Sequence, residues 1–548
     1  MDVTTLPAWK SLARHRADIE NTRITQLFED EPGRSERLTL KGGGLTFDVS
    51  RNLASRDTFA RLYELADAVD LADQRNALFR GDTVNESEAR AALHMLLRTG
   101  EPAGHPAAPE VADTLARMET ISRAVRDGSW KGSTGEPIRH VVHIGVGGSY
   151  LGPRMAAEAL TYFRPDATTG RIADHYVANI DGHHIDRVLA GLPAAQTLVV
   201  IVSKTFTTLE TRANAETART WLQQQLPGAD LSRHFIAVST NLDAAGDFGV
   251  TADHTLPLWD FVGGRYSMWS AVGLPLAITH GFETFRRMLD GAAAMDHHFA
   301  TAPHAGNLPL TAALLSVWYN CFFEAQSHAV IPYDHFLRLL PAHLQQLEME
   351  SLGKSVTQDG KPLAVTSGQI LWGGEGSNGQ HAFHQLLYQG NRFVPIDFIL
   401  PLRARHALPG HHEWLVANCL GQAEALMQGL SADEVAANLA ASGTDDTLAA
   451  ARRPHMTHAG NRPSSIIALD SVTPESLGAL VAFYEHKVFC QAAVWHINPF
   501  DQWGVEYGKQ LSRRVFARIQ RDPAADQQPV HQATEQLIDL YRKAQNPE

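Results

Sequence analysis

The chain has 548 residues, 44% hydrophobic and 20% charged, with a formal net charge of −13 at pH 7. That length exceeds the ~250–300 residues at which single cores stop growing, so at least two domains are predicted. The acidic balance excludes sequence-independent nucleic-acid binding, which needs a basic face to displace counterions, but a few placed cations can still hold a small anion.

The first 16 residues read as an amphipathic helix without the apolar core of a secretory signal. The longest apolar runs, 197–202 and 271–278, fall well short of the ~18 residues a membrane span needs, so a cytoplasmic protein without a membrane partner is expected. Residues 1–115 are helical by pattern, with Gly/Pro-rich breaks at 41–44 and 101–109. From 138 onward the texture changes to short β-rich runs, 139–144, 198–202 and 234–239, each followed by a helical pattern. Buried runs alternating with helices predict a parallel sheet wound by βα units. A second set follows at 364–365, 370–372, 394–400 and 464–469, and the chain beyond 510 is helical and charged. Cys321, Cys419 and Cys490 are too few and too scattered for a disulfide framework and are expected as reduced thiols.

Several runs carry chemistry. Gly145-Val146-Gly147-Gly148-Ser149 follows a strand and is predicted to open a helix near Tyr150. Its glycines let backbone N–H groups approach an anion at a helix N-terminus. Ser203-Lys204-Thr205-Phe206-Thr207-Thr208 ends another strand and offers several hydroxyl donors. Either loop is equally readable as a tight βα turn with Ser/Thr caps. A Rossmann fingerprint would need glycine where Tyr150 stands, and a P-loop ending at Gly353-Lys354-Ser355 would need glycine in place of Glu348. Dinucleotide and ATP binding are therefore not supported.

Arg265, directly after Gly263-Gly264, is suited to face an oxyanion, but since most arginines are exposed the residues alone favour a loop arginine pairing with a surface carboxylate. Gln346 and Glu350 share one helix face at i and i+4, but spacing does not separate Glu350 from Glu348 as a working carboxylate. His381 lies in the polar run 376–383 and has the side chain suited to acid–base work near neutrality. His384 three residues on forms no metal motif with it, and none of the paired histidines has zinc-ligand spacing.

In order along the chain, Gly145-to-Ser149, the Ser-Lys-Thr-Phe-Thr-Thr-Leu-Glu-Thr run at 203–211, Gly-Gly-Arg-Tyr-Ser at 263–267, and the runs at 346–354, 378–383 and 500–509 together resemble the glucose-6-phosphate isomerase family. The resemblance implies an α/β fold of two αβα sandwich sugar-isomerase domains with mainly parallel sheets, N-terminal helices and a helical C-terminal arm. It divides the chain into 1–115, a small domain 116–285, a large domain 286–510 and an arm 511–548. It implies reversible conversion of glucose 6-phosphate to fructose 6-phosphate, a step of glycolysis and gluconeogenesis, by ring opening and proton transfer through a cis-enediol. Glu350 would be the base, Arg265 would stabilise the enediolate, and His381 with Lys509 would open the ring. Gly148, Ser149, Ser203, Lys204, Thr205 and Thr208 would hold the phosphate, and Gln346 and Gln502 would line the sugar. No cofactor or metal is implied. A homodimer is, with His381 supplied by the neighbouring subunit. Leu352 departs from the family's usual Asn two residues after Glu350.

Overall fold

A computed structural model describes residues 1–99, 104–165, 171–521 and 529–545, arranged in two compact units, 1–499 and 500–548. The first unit opens with helices, among them Pro7–Asp18 and Arg56–Ala68, and with a hairpin of β1 (Thr39–Gly42) and β2 (Leu45–Asp48). The expected break at 41–44 is the turn of that hairpin. Gly43 and Gly44 take φ of 56° and 81°, the positive pair that a tight turn between right-twisted strands requires. Four-residue strands carry too little alternation to stand out within a helical stretch. Residues 101–103 of the second expected break lie outside the described residues.

Next comes a sheet of β3 (His140–Ile144), β4 (Ala173–Val177), β5 (Thr197–Val202), β6 (Phe235–Ser239) and β7 (Thr255–Pro257), ordered β4-β3-β5-β6-β7 and parallel throughout. β5 is buried at every position, the burial on both faces that its Val/Ile run implies. Val142, Ile144, Val199, Ile201 and Ala237 pack on one face against the helices Gly182–Leu189, Leu209–Gln225 and Leu242–Asp247. The helices Gly148–Ala159 and Leu274–His280 pack together beside β3 and β4. The strand order reverses between β3 and β5. At such a reversal the loops leaving the two strands diverge and open a crevice at their C-terminal ends.

The second sheet contains β8 (Ser327–Pro332), β9 (Ile370–Gly373), β10 (Ile396–Pro401) and β11 (Ser464–Leu469) in the order β1-β2-β11-β10-β8-β9. β8 to β11 are parallel and β2 joins β11 antiparallel. The N-terminal segment thus completes the second sheet through its hairpin. The strand expected at 364–365 is a bend. Pro362, without an N–H to give to a ladder, makes only an isolated bridge to Val356, and the run is too short to pair. β4, β7 and β8 escaped the sequence reading: β4 is only half-buried, β7 has three residues, and β8 begins with Ser-His and ends on Pro332.

The helix Pro474–Trp495 runs through this unit with every residue but Glu475 and Ser476 buried, and it carries Glu485, His486 and Lys487 into the core. Each is paired: Glu485 with Arg98, His486 with Asp296 at 2.7 Å, and Lys487 with Glu348 at 2.9 Å. Among the described residues no helix is long and apolar enough to cross a membrane. Cys321, Cys419 and Cys490 form no disulfide.

The second unit holds the helices Glu506–Ile519 and Gln532–Gln545, joined by an Arg518–Glu535 ion pair and by Arg542 Nη2 donating to the Arg518 carbonyl at 2.5 Å. Residues 522–528 and 546–548 of the expected arm lie outside the described residues.

Candidate active site

The loops leaving β3 and β5 flank the crevice. After β3, Gly147 takes φ 60° and ψ −124°, open only to glycine, and caps the helix Gly148–Ala159. That helix starts two residues earlier than expected. Here the absence of side chains is what allows contact. A Cβ on Gly148 would sit 2.0 Å from the Gly264 carbonyl oxygen and 2.5 Å from the Arg265 nitrogen, and one on Gly147 would meet Gln346 Nε2 at 3.1 Å. Three sequence motifs therefore converge on the two glycines. Ser149 follows them in the first helical turn, where N–H groups lack intrahelical partners and the macrodipole favours an anion.

After β5, Phe206 adopts φ 57° and buries its ring near Phe248. This leaves Thr205 and Thr207 exposed with their hydroxyls 2.7 Å apart. Ser203 Oγ donates to Thr208 Oγ1 at 3.2 Å. Lys204 turns away from these hydroxyls: its Nζ donates to the carbonyls of Asp260 and Val262 at 3.2 and 3.4 Å and faces the Asp260 carboxylate at 3.4 Å. Burial lowers its pKa, with the Asp260 charge acting in the opposite sense. Lys204 thus ties the β5 loop to the segment that leads into Gly263.

Arg265 is in a short 3₁₀ helix, Gly264–Trp269, and is 2% exposed, so it is no surface arginine. Nε donates to Ser351 Oγ at 2.7 Å, Nη2 donates to the Pro499 carbonyl at 2.5 Å, and Nη1 faces Glu350 Oε1 at 3.5 Å. Gln346 and Glu350 bound a π-helical turn that continues the helix Leu340–Gln345. Gln346 Nε2 donates to Glu350 Oε2 at 2.8 Å. Among the described residues Gln346 Oε1 is buried and has no hydrogen-bond partner. The two carboxylates that spacing could not separate have opposite surroundings. The Glu348 side chain is 1% exposed and neutralised by Lys487, whereas that of Glu350 is 24% exposed and sits between an amide and a guanidinium. Of the two, Glu350 is the carboxylate that a ligand can reach.

Other expected residues are not brought to this cluster by the first unit. His381 ends the 3₁₀ helix Asn378–His381 and is exposed, and among the described residues no hydrogen bond or ion pair joins it to Glu350. His384 is bonded to Gln422 at 3.2 Å, and no group of three or more His, Cys, Asp or Glu side chains is placed to hold a metal ion among the described residues. Lys509 and Gln502 belong to the second unit. Lys509 is exposed and pairs with Glu506 at 2.6 Å, while Gln502 precedes the turn Trp503–Val505.

The structure adds residues to which the sequence reading gave no role. Tyr266 and Ser351 form a buried contact of 3.1 Å beside Arg265. Lys354 Nζ donates to the Glu350 carbonyl at 3.1 Å. His143, in β3, donates from Nε2 to the Ser149 carbonyl at 2.5 Å, and burial pushes its pKa down to about 4, so it is a neutral prop for the glycine loop. Its position inside a hydrophobic strand was the available signal, since a buried histidine needs a partner. Leu352, the departure from the family pattern, is wholly buried, and its carbonyl accepts from Ser367 Oγ at 2.7 Å.

Residues 48–538 match the family model described as phosphoglucose isomerase. The chain belongs to the phosphoglucose isomerase family. A glucose-6-phosphate isomerase of Alteromonas mediterranea is 45% identical over 551 residues, covering 100% of this chain and 99% of that protein. One from Ectopseudomonas mendocina is 46% identical over 550 residues, covering 99% and 98%. The crystal structure of a glucose-6-phosphate isomerase from Chlamydia trachomatis superposes with a TM-score of 0.84 at 30% identity, over 99% of this chain and 100% of that one. The phosphoglucose isomerase relationship thus extends over both sheets and the second unit.

Proposed function

We propose that the chain reversibly isomerises D-glucose 6-phosphate and D-fructose 6-phosphate, with Glu350 as the proton carrier. The observation that carries this reading is the placement of Glu350: a partly exposed carboxylate bonded to Gln346 and facing a buried Arg265, beside the glycines at 147 and 148. With the sugar ring open, the Glu350 carboxylate takes the proton from C2 of the aldose and returns it to C1. The electron pair moves to O1 as the cis-enediolate forms, the Arg265 guanidinium faces that charge, and the O2 hydroxyl proton passes to O1 before C1 is protonated, leaving the ketone at C2. A positioned base contributes typically ~10²–10⁴-fold and a preorganised cation ~10²–10³-fold.

The phosphate is assigned to Ser149, Ser203, Thr205 and Thr208 with the amides around Gly148 and Lys204. Remote from the reacting carbons, it lends binding energy to orientation. Gln346 and Gln502 line the sugar. His381 and Lys509 open the ring, and His381 comes from a second subunit of a homodimer. What supports that origin is the exposure of His381 and, among the described residues, the lack of a hydrogen bond or ion pair between it and Glu350. The division into a small sugar-isomerase domain at 116–285, a large one at 286–510, the N-terminal segment 1–115 and the arm 511–548 rests on the same resemblance, as do a cytoplasmic location and a place in glycolysis and gluconeogenesis.

A coupled assay with fructose 6-phosphate as substrate, detecting glucose 6-phosphate with a chelator present, tests the reading. Turnover unaffected by the chelator is expected. Binding of fructose 6-phosphate without turnover would refute it.

A further inference from the structure

Beyond the groups that meet the substrate, the turn carrying Glu350 has an unusual anchor. Glu348 lies midway between Gln346 and Glu350 and points the other way, into the core. Both of its carboxylate oxygens accept from Lys487 Nζ, at 3.1 and 2.9 Å, and neither side chain is more than 1% exposed. Lys487 stands on the buried helix Pro474–Trp495, 139 residues away in sequence. Burying two charges costs heavy desolvation, and well-packed apolar residues of similar size are commonly as stable or more so. Stability therefore gives little reason for this pair. What it does supply is direction: two hydrogen bonds from a cation on a rigid helix fix one side chain in the middle of the turn.

The turn itself needs such fixing. It is π-helical over Gln346–Glu350, a geometry that is uncommon and concentrated at functional sites. On a helical turn, residues two apart lie on opposite sides, so holding Glu348 inward turns Glu350 and Gln346 outward together. The flanks are pinned as well, by Arg265 and Tyr266 on Ser351 and by Lys354 on the Glu350 carbonyl. Within the turn, the Glu348 contact resists rotation about the turn axis from the core side.

We propose that Lys487 and Glu348 act as a positioning pair for isomerisation, holding the π-turn so that the Glu350 carboxylate points at the reacting carbon. This rests on the functional reading above. Loss of such a tether misplaces the base without altering its chemistry, and a displacement of the order of 1 Å can cost about 100-fold in rate.

The test uses the full-length double variant Glu348→Leu/Lys487→Met, which replaces the pair by apolar side chains and leaves no stranded charge. The melting temperature is expected to be unchanged or higher, and KM for fructose 6-phosphate to stay within about threefold, while kcat falls at least about tenfold. The primary isotope effect with C1-deuterated fructose 6-phosphate is expected to increase, because proton transfer becomes more rate-limiting. The exchanged pair Glu348→Lys/Lys487→Glu restores the tether and should recover most of the lost kcat. A double variant with wild-type kcat and wild-type isotope effect would overturn the proposal, as would a loss confined to melting temperature. Wild-type protein in the same assay separates the two readings: if it does not turn over, the functional assignment falls, whereas an active wild type with an equally active double variant overturns the positioning role alone.

Discussion

Glu350→Gln changes charge and basicity while keeping size. In the wild-type chain Oε2 accepts from Gln346 at 2.8 Å and Oε1 faces Arg265 Nη1 at 3.5 Å. A glutamine can keep its oxygen toward Gln346 and turn its amino group toward Arg265, so shape survives and the ion pair does not. The glutamate side of that pair is partly solvated and buried Arg265 keeps its bonds to Ser351 and Pro499, so the loss of stability should be ~1 kcal/mol and the change in melting temperature less than about 4 °C. The chemistry has no such cushion. An amide takes no proton at neutral pH, so the full share of a positioned base should be lost, ~10²–10⁴-fold in kcat or about 3–5.5 kcal/mol of barrier. Coupled turnover of fructose 6-phosphate reads the rate, and calorimetry with a six-carbon alditol phosphate, which cannot isomerise, reads binding. Its Kd should stay within about threefold. Glu348→Gln is the matched control: it leaves Lys487 buried without its counter-charge and should cost ~3–5 kcal/mol of stability. Glu350→Gln retaining more than about a tenth of wild-type kcat would refute the assignment of the base.

His381→Ala is expected to lose more activity on ring-closed substrate than on an open-chain analogue, and equal losses would remove its ring-opening role. If His381 crosses between subunits, mixing inactive Glu350→Gln and His381→Ala chains under exchange should restore about a quarter of wild-type activity, because half of the dimers then carry one intact site. Arg265→Lys keeps the charge but cannot reach Ser351, Pro499 and Glu350 at once, so kcat should fall ~10²–10³-fold with KM little changed. Acid stability follows from His143, His280 and His343, whose pKa values burial pushes from the ordinary 6.5 down to about 4, 3 and 4. The unfolded chain takes up these protons first, so their contribution is intact above pH 6.5 and is lost as pH falls toward 4, by ~3 kcal/mol per histidine at pH 4. Among the described residues neither ring nitrogen of His343 has a hydrogen-bond partner, so His343→Leu should fold and flatten urea midpoints between pH 6.5 and 4. An unchanged pH slope would refute that account.

What the residues determined unaided is local. The Val/Ile run of β5 announced a strand buried on both faces, and the glycines at 147 and 148 announced a backbone that something approaches closely. Both follow from sterics and burial within a few residues. The choice between Glu348 and Glu350 had no such local basis, since the two share a residue type and a helical turn. It was decided by Lys487 and Arg265, 139 and 85 residues away, which pair one carboxylate in the core and leave the other at the crevice. Likewise Arg265 read from its residue type as an exposed arginine, and it was packing that placed Ser351 and Pro499 around it. Charge pairing across such separations depends on which elements pack together, and that information exists only once the sheets and the buried helix 474–495 have assembled.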